Sequence, residues 1–194
     1  MSAERKATAA LTVALLALAV SIVASLRLAA NRSATQATTG YTVAGDWSTS
    51  ELHTGTLNIA RSQSGVAYAV EIPAARAGDV LFVSGEAQVT NEHAYNVFVG
   101  STLLLAGSAR AVTGESFTRG DGSNVTPAIH HGVVTCVQTL TLSRAIHRAW
   151  INMVLSVTAT QARPGDRMEI NPGSGQLNVM LLARRDNASR STRG

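Results

Sequence analysis

The strongest constraint in this sequence is an alternation of apolar and polar residues with a period of two. In the clearest run, Ile151, Met153, Leu155 and Val157 are separated by mostly polar residues. Because successive side chains of a β-strand point to opposite faces, this pattern predicts a strand with one buried face. Runs of the same character lie at 56–61, 66–72, 81–90, 94–99, 101–106, 131–142, 151–160, 167–171 and 176–183.

Turn residues separate these runs, and no stretch after residue 40 shows a helical period. About eight to ten short antiparallel strands need two packed sheets, because a single open sheet would leave one apolar face in water. We therefore predict an all-β fold, a jelly-roll-like antiparallel β-sandwich over residues 51–184, preceded by one N-terminal hydrophobic (signal-anchor) helix. The layout resembles the jelly-roll sandwiches of the complement C1q and tumour-necrosis-factor group, and the resemblance is one of layout only.

A five-residue sequence occurs twice, as ARAGD at 75–79 and as ARPGD at 162–166. Each copy follows one predicted strand and precedes another. Glycine adopts the unusual φ angles that tight turns require, and an aspartate side chain can accept hydrogen bonds from nearby backbone N–H groups. The repetition predicts one type of turn used at two matching corners of the sandwich. A pair of equivalent ligand-binding loops is the alternative.

Several predicted strands are apolar on both faces. The residues on the second face are Val80, Phe82, Phe98, Met180 and Leu182. A single sandwich buries only one face of each sheet, so the second face needs a covering loop or another copy of the chain. Large exposed apolar patches mark interaction surfaces, and we therefore predict a homo-oligomer.

The N-terminal region contains an apolar segment, residues 7–26, without a single charge. A helix of about 20 apolar residues just crosses the hydrocarbon core of a bilayer. We expect the protein in the cell membrane, single-pass with its body outside, or in secreted form. The predicted organisation is a basic flank at 1–6, a transmembrane anchor or cleaved signal at 7–30, a flexible tether at 31–50, the sandwich at 51–184 and a disordered basic tail at 185–194.

The formal net charge of +4 does not indicate a nucleic-acid partner. The excess lies at the two ends, because residues 41–183 contain eight arginines against ten carboxylates. A groove that binds phosphates needs clustered cations in the folded body, so we predict no nucleic-acid binding. Only Lys6 among the 16 basic residues is a lysine, which is typical of a GC-rich bacterial genome.

No residue pattern supports catalysis, a cofactor or a metal. Nucleophilic hydrolysis needs a serine or cysteine beside an oriented histidine, but no G-x-S-x-G sequence is present and Cys136 lies within a predicted strand. His130 and His131 are adjacent, and adjacent strand residues point to opposite faces. They cannot bind one metal ion from a regular strand, and we expect one of them to be packed and the other exposed.

Candidate binding residues are few, because aromatic residues make up only 4% of the chain. We expect Trp150 and Tyr95 to contribute to one surface, although a tryptophan at a sheet edge more often packs beneath a loop. Arg119 and Asp121 flank a glycine in the tripeptide that integrins recognise, and the same residues are common in turns. The possible binding surface comprises Trp150, Tyr95, His130, His131, Arg119 and Asp121, with a cell-surface protein or glycan as the partner.

The sequence thus predicts an exported, membrane-anchored or secreted β-sandwich without catalytic activity. It would present a binding or assembly surface outside the cytoplasmic membrane. One alternative is a self-assembling structural subunit of a surface or virion assembly, whose partner is a second copy of the chain. Another alternative is a small hydrolase that uses a histidine.

Overall fold

Antiparallel β-strands make up the regular secondary structure of the described chain. The computed structural model describes residues 40–118, 122–127 and 130–184. In these residues eleven strands occur: β1 (Tyr41–Thr49), β2 (Thr56–Asn58), β3 (Ser64–Ile72), β4 (Val80–Thr90), β5 (Val97–Ala106), β6 (Glu115–Ser116), β7 (Gly122–Val125), β8 (His131–Thr141), β9 (Ala149–Thr158), β10 (Arg167–Ile170) and β11 (Gln176–Arg184).

The described strands form two sheets. In sheet A, β4 is central: β8 pairs with one edge along its whole length, and β11 pairs with the other edge. β1 lies beyond β11, while β10 and β2 continue the sheet from the last two residues of β4. Sheet B has the order β3-β9-β5, and the short strands β6 and β7 pair with the outer edge of β5.

The two sheets share one hydrophobic core. On β4 every second residue is buried, including Leu81 and Val83, and β9 contributes Ile151, Met153 and Leu155 from the opposite sheet. Full burial of such a side chain contributes about 1.5–3 kcal/mol. The burial of the apolar residues that alternate in the sequence is therefore the main source of the fold's stability. The predicted all-β antiparallel sandwich is confirmed, and the strand arrangement is consistent with a jelly roll.

The first strand corrects the predicted tether. Residues 41–49, placed in the flexible segment 31–50, form β1 and pair with β11. Trp47 lies opposite Val179 and packs against the core. The alternation of β1 is hard to see in the sequence because a bulge between Val43 and Gly45 shifts its register.

Two further strands differ from the prediction in detail. The alternation in the run 66–72 predicts Val66, Tyr68, Val70 and Ile72 on one face. A bulge between Val66 and Tyr68 instead moves Val66 to the outer face of sheet B, where it joins a small second cluster. A bulge adds one residue to a strand and so reverses the face of everything before it. The predicted runs 94–99 and 101–106 are one continuous strand, β5, which includes Gly100.

The repeated sequence forms the same turn at both places. Gly78 has a φ of 88° and Gly165 a φ of 97°, which are left-handed conformations that favour glycine. In each turn the aspartate, Asp79 or Asp166, accepts a hydrogen bond of 2.8 Å from the backbone N–H of the arginine three residues earlier. The prediction of a turn used twice is confirmed.

Several predicted segments lie outside the described residues. These are the flank at 1–6, the anchor or signal helix at 7–30, most of the tether and the tail at 185–194. Within 40–118, 122–127 and 130–184 no helix is long and apolar enough to cross a membrane. The membrane anchor therefore stays a prediction.

We predict that Asp79→Ala lowers the free energy of unfolding by about 2 kcal/mol, because the charged oxygens of Asp79 accept two backbone hydrogen bonds. One comes from Arg76 at 2.8 Å and one from Arg184 at 3.0 Å, and Asp79 is only 4% exposed. The urea unfolding midpoint of the full chain measures the change. Asp46→Ala, on the exposed side of β1, is the control and should change stability by less than about 0.5 kcal/mol. Equal effects of the two variants would contradict the prediction.

Candidate functional site

The outer face of sheet A carries a contiguous group of apolar side chains. Strand pairing places Met180 beside Phe82, Leu182 beside Val80, and Val43 beside Leu182. Side chains directly opposed in an antiparallel sheet have Cβ atoms about 4.5–5.5 Å apart, so the five residues adjoin one another. We call Val43, Val80, Phe82, Met180 and Leu182 the outer patch.

The outer patch remains in contact with solvent. Val43 is 50% exposed, and the other four members are half-buried, whereas their inward-facing neighbours Leu81 and Val179 are buried. The sequence therefore identified the two-faced strands of sheet A correctly.

Strand β8 extends this apolar character to one edge of sheet A. Val133 is 50% exposed and Val137 is 60% exposed, and both alternate with threonines on the outer face. Among the described residues β8 pairs as a strand only with β4. Natural edge strands are usually protected by charges, prolines or bulges, yet residues 132–141 contain no charged residue and no proline.

Part of the outer face of sheet B is covered by a loop instead, while Phe98 at the other end of β5 stays 45% exposed on this face. Val66, Ala69, Leu104 and Val154 form a buried cluster on this face, and Trp150 and Ala109 pack against it. The covering loop, residues 107–114, is fixed by Asn152, which is buried in the middle of β9. Its Nδ2 donates hydrogen bonds of 2.9 Å to the backbone oxygens of Ser108 and Ala111. The chain thus covers a cluster on the outer face of sheet B with its own loop, whereas the outer patch of sheet A stays in contact with solvent.

We predict that Asn152→Ala releases the covering loop, because the Ser108 and Ala111 carbonyl groups would each lose the hydrogen bond from the Asn152 amide, at a cost of about 2 kcal/mol. Trypsin should then cleave the full chain after the exposed Arg110 several-fold faster, as followed by mass spectrometry of the fragments. Ser156→Ala is the control: Ser156 lies four residues further along β9 on the same face, and its substitution should leave the cleavage rate unchanged. Unchanged cleavage in Asn152→Ala would show that the amide does not hold the loop.

The two aromatic residues of the predicted binding surface do not share one surface. Trp150 pairs with Ala106 at one end of β5, whereas Tyr95 precedes Val97 at the other end. Nine residues of extended chain separate these ends by about 30 Å. Trp150 packs on the outer cluster of sheet B, as the alternative for a sheet-edge tryptophan predicted. The expectation of a joint aromatic surface was wrong, because sequence alone did not give the strand register.

The two adjacent histidines are both exposed, so the expectation that one is packed was wrong. His130 precedes β8 and has a φ of 57°, and its backbone oxygen accepts a hydrogen bond of 2.7 Å from Asn91. His131 begins β8, and its Nδ1 lies 3.0 Å from the Thr90 hydroxyl on β4. The left-handed backbone of His130 breaks the strand geometry on which the expectation depended.

Arg119 and Asp121 lie outside the described residues, so their predicted role in adhesion stays a prediction. In the part of the chain that the structure describes, no group of three or more histidine, cysteine or acidic residues could hold a metal ion.

A polar cluster that the sequence did not assemble joins the loop after β4 to the second repeated turn. The Tyr95 hydroxyl donates a hydrogen bond to Asp166, and the ring of His93 stacks on Tyr95 with a centroid separation of 5.1 Å. His93 Nδ1 lies 4.0 Å from Asp166, and its Nε2 lies 2.8 Å from the Arg167 backbone oxygen. Tyr95 and Asp166 are 71 positions apart, and no local pattern relates residues at that separation.

The cluster shifts the ionisation of its members in opposite directions. Burial, together with the hydrogen bond to Asp166, raises the pKa of Tyr95 from 10.0 to about 12. The Tyr95 hydroxyl and then the Arg163 backbone N–H lower the pKa of Asp166. The raised pKa of Tyr95 stabilises the fold below pH 10, and this contribution is lost as the pH rises towards 12. The lowered pKa of Asp166 stabilises the fold above its ordinary pKa of 3.8 and loses its effect in stronger acid.

We predict that Asp166→Asn lowers the pKa of Tyr95, because the negative charge that opposes phenolate formation is removed. Alkaline titration of phenolate absorbance in the full chain measures the shift. Tyr95→Phe shows which part of the titration curve belongs to Tyr95, since this variant should lack the transition near pH 12. A Tyr95 transition at the same pH in Asp166→Asn would contradict the assigned contact.

Comparison with known proteins gives only structural likenesses. No protein-family model matches the chain, and no curated protein matches it. The VP2 subviral particle of infectious bursal disease virus is similar at 11% identity, with a TM-score of 0.48, over 72% of this chain and 32% of that chain. A viral particle of the same virus matches at 14% identity, with a TM-score of 0.49, over 70% of this chain and 30% of that chain. The structure of the Gt strain of this virus matches at 14% identity, with a TM-score of 0.44, over 75% of this chain and 37% of that chain.

The chain spans only about a third of the length of these chains, at 30–37%. All three TM-scores fall below 0.5, so the fold and the function rest on the chain's own residues.

Proposed function

We propose that the protein is a non-catalytic, self-assembling structural subunit, and that the outer patch of sheet A is its contact with a second copy. The single observation that supports this most strongly is the continuity of the patch across β1, β11 and β4. Scattered surface hydrophobics are ordinary, whereas adjoining ones mark a surface that is removed from water in use.

The contrast with sheet B supports the same proposal. There the chain uses its own covering loop and a buried asparagine to remove a cluster of four apolar side chains from solvent. The described chain offers sheet A no equivalent cover, and Val43 stays 50% exposed. A second copy presents the same apolar surface, and a two-fold contact would bury both patches at once.

The polar cluster supports a structural rather than a catalytic role. The Tyr95 hydroxyl is committed to Asp166, which also accepts a backbone N–H from Arg163. His93 directs one ring nitrogen at a backbone oxygen and the other towards the same carboxylate. These groups satisfy one another and fix the loop after β4, so the histidine-dependent hydrolase is the weaker alternative. Export through residues 7–30, and a glycan or cell-surface partner, stay predictions.

The test is the self-association of the full chain in a mild detergent, measured by analytical ultracentrifugation over a range of protein concentrations. The double variant Phe82→Thr and Met180→Thr removes the paired centre of the outer patch while keeping residues that favour strands. We expect its association constant to fall at least about tenfold, which corresponds to about 1.4 kcal/mol of lost apolar burial.

The matched control is Ser84→Thr with Asn178→Thr, which changes the neighbouring polar pair on the same two strands. This control should associate as the unmodified chain does. A full chain that remains monomeric at every concentration would overturn the proposed function. So would an oligomer that the Phe82→Thr and Met180→Thr variant does not weaken more than the control does.

A further inference from the structure

The outer edge of β8 offers a second contact of a different kind. We propose that β8 pairs antiparallel with the β8 of a second copy, so that sheet A continues from one subunit into the next. This inference rests on the proposed function and names the way in which one of its contacts is made. Pairing through an edge strand uses backbone hydrogen bonds, which any sheet edge can supply.

β8 is long and regular enough to act as such an edge. It pairs with β4 through all eleven residues without a bulge, and in the described chain it has no strand partner on its other side. An antiparallel strand directs about half of its backbone N–H and C=O groups to each side. The groups on the outer side of β8 thus form a row that no bulge interrupts.

The residues of β8 are complementary to themselves in one register. If Thr135 lies opposite the Thr135 of the second copy, Val133 faces Val137 on the outer side, and Val134 faces Cys136 on the inner side. Each pairing then occurs twice, once in each direction, as a two-fold axis requires. Val133 and Val137 are the two exposed large apolar residues of β8, and this register covers both of them. Cross-strand apolar pairs of this kind stabilise a sheet and fix its register.

Charge does not oppose the pairing. Identical strands carry identical charges, so self-pairing favours a strand with none, and residues 132–141 carry no charge. Thr135 lies at the centre of the proposed register, and the acidic residue beside it is Glu86 of β4. In the joined sheet the two Glu86 side chains would be three strand spacings apart, about 14 Å. This exceeds the Debye length of about 8 Å at physiological ionic strength, so their repulsion is largely screened.

The experiment is thiol cross-linking of the full chain in the same detergent. In a Cys136→Ser background, Thr135→Cys should form a disulfide-linked dimer under mild oxidation, because its partner Cβ would lie about 5 Å away. Thr139→Cys in that background is the matched control. It is the same substitution on the same exposed face of β8, but its counterpart would be about 27 Å distant in this register, so it should not cross-link.

A mixing experiment tests the register itself. Val133→Cys and Val137→Cys variants, each in the Cys136→Ser background, should cross-link with each other after mixing and much less with themselves. Differently tagged copies distinguish the mixed dimer from the self-linked ones on a non-reducing gel. Self-linking that equals the mixed product would overturn the register centred on Thr135.

A second variant keeps Cys136 and so does not depend on that background. Thr135→Lys would place two ammonium groups opposite each other, and the association constant should fall at least about tenfold. Thr139→Lys is its control, and its association constant should fall by less. An equal fall for both lysine variants would overturn the proposal.

The outcomes separate the two proposals. If the chain associates and the Phe82 and Met180 variant weakens it, but Thr135→Cys does not cross-link, the assembly function stands and pairing through β8 is wrong. If the unmodified chain is monomeric throughout, both proposals fall. Cross-linking at Thr135 and not at Thr139 supports pairing through β8 and the self-association of the chain, while the Phe82 and Met180 variant tests the contact through the outer patch.

Discussion

The burial of one face of β4 against sheet B is the constraint on which the rest of this structure depends. In sheet A, β4 pairs with three other strands, β8, β10 and β11, and its inward residues belong to the shared core. Once Leu81 and Val83 point inward, the register of both neighbouring strands is fixed, because a shift by one residue would bring their apolar sets out of the core. The inward orientation of Leu81 and Val83 also determines which residues of these strands lie on the outer face.

That outer face distinguishes the two sheets. On sheet B, a loop of eight residues and a buried asparagine cover the part of the second apolar layer around Val66 and Leu104. On sheet A the second layer, with Val43, Phe82 and Met180 among its members, remains in contact with solvent. The cost of exposing apolar groups to water is removed when another surface covers them, which is why an assembly function agrees with this arrangement.

Sequence reasoning predicted the features that depend on local alternation and turn chemistry. The strands β2 to β5 and β8 to β11, the two-faced character of Val80 and Phe82, and the paired turns at Asp79 and Asp166 all follow from periods and spacings of a few residues. The short strands β6 and β7 were not predicted, because they are too short to show an alternation. It failed where long-range pairing decides the outcome. β1 was assigned to the tether because a bulge hides its alternation, and Val66 was placed on the wrong face for the same reason. The contact between Tyr95 and Asp166 depends on sheet register, which no local pattern contains.

The covering loop makes the two outer faces of the subunit chemically different. Part of the outer face of sheet B is closed by residues 107–114, whereas the outer patch of sheet A stays open. In the proposed face-to-face contact two copies meet through sheet A, so both outward surfaces of the pair would carry Arg110 and the covering loop. The pair would then present the same chemistry on its two sides.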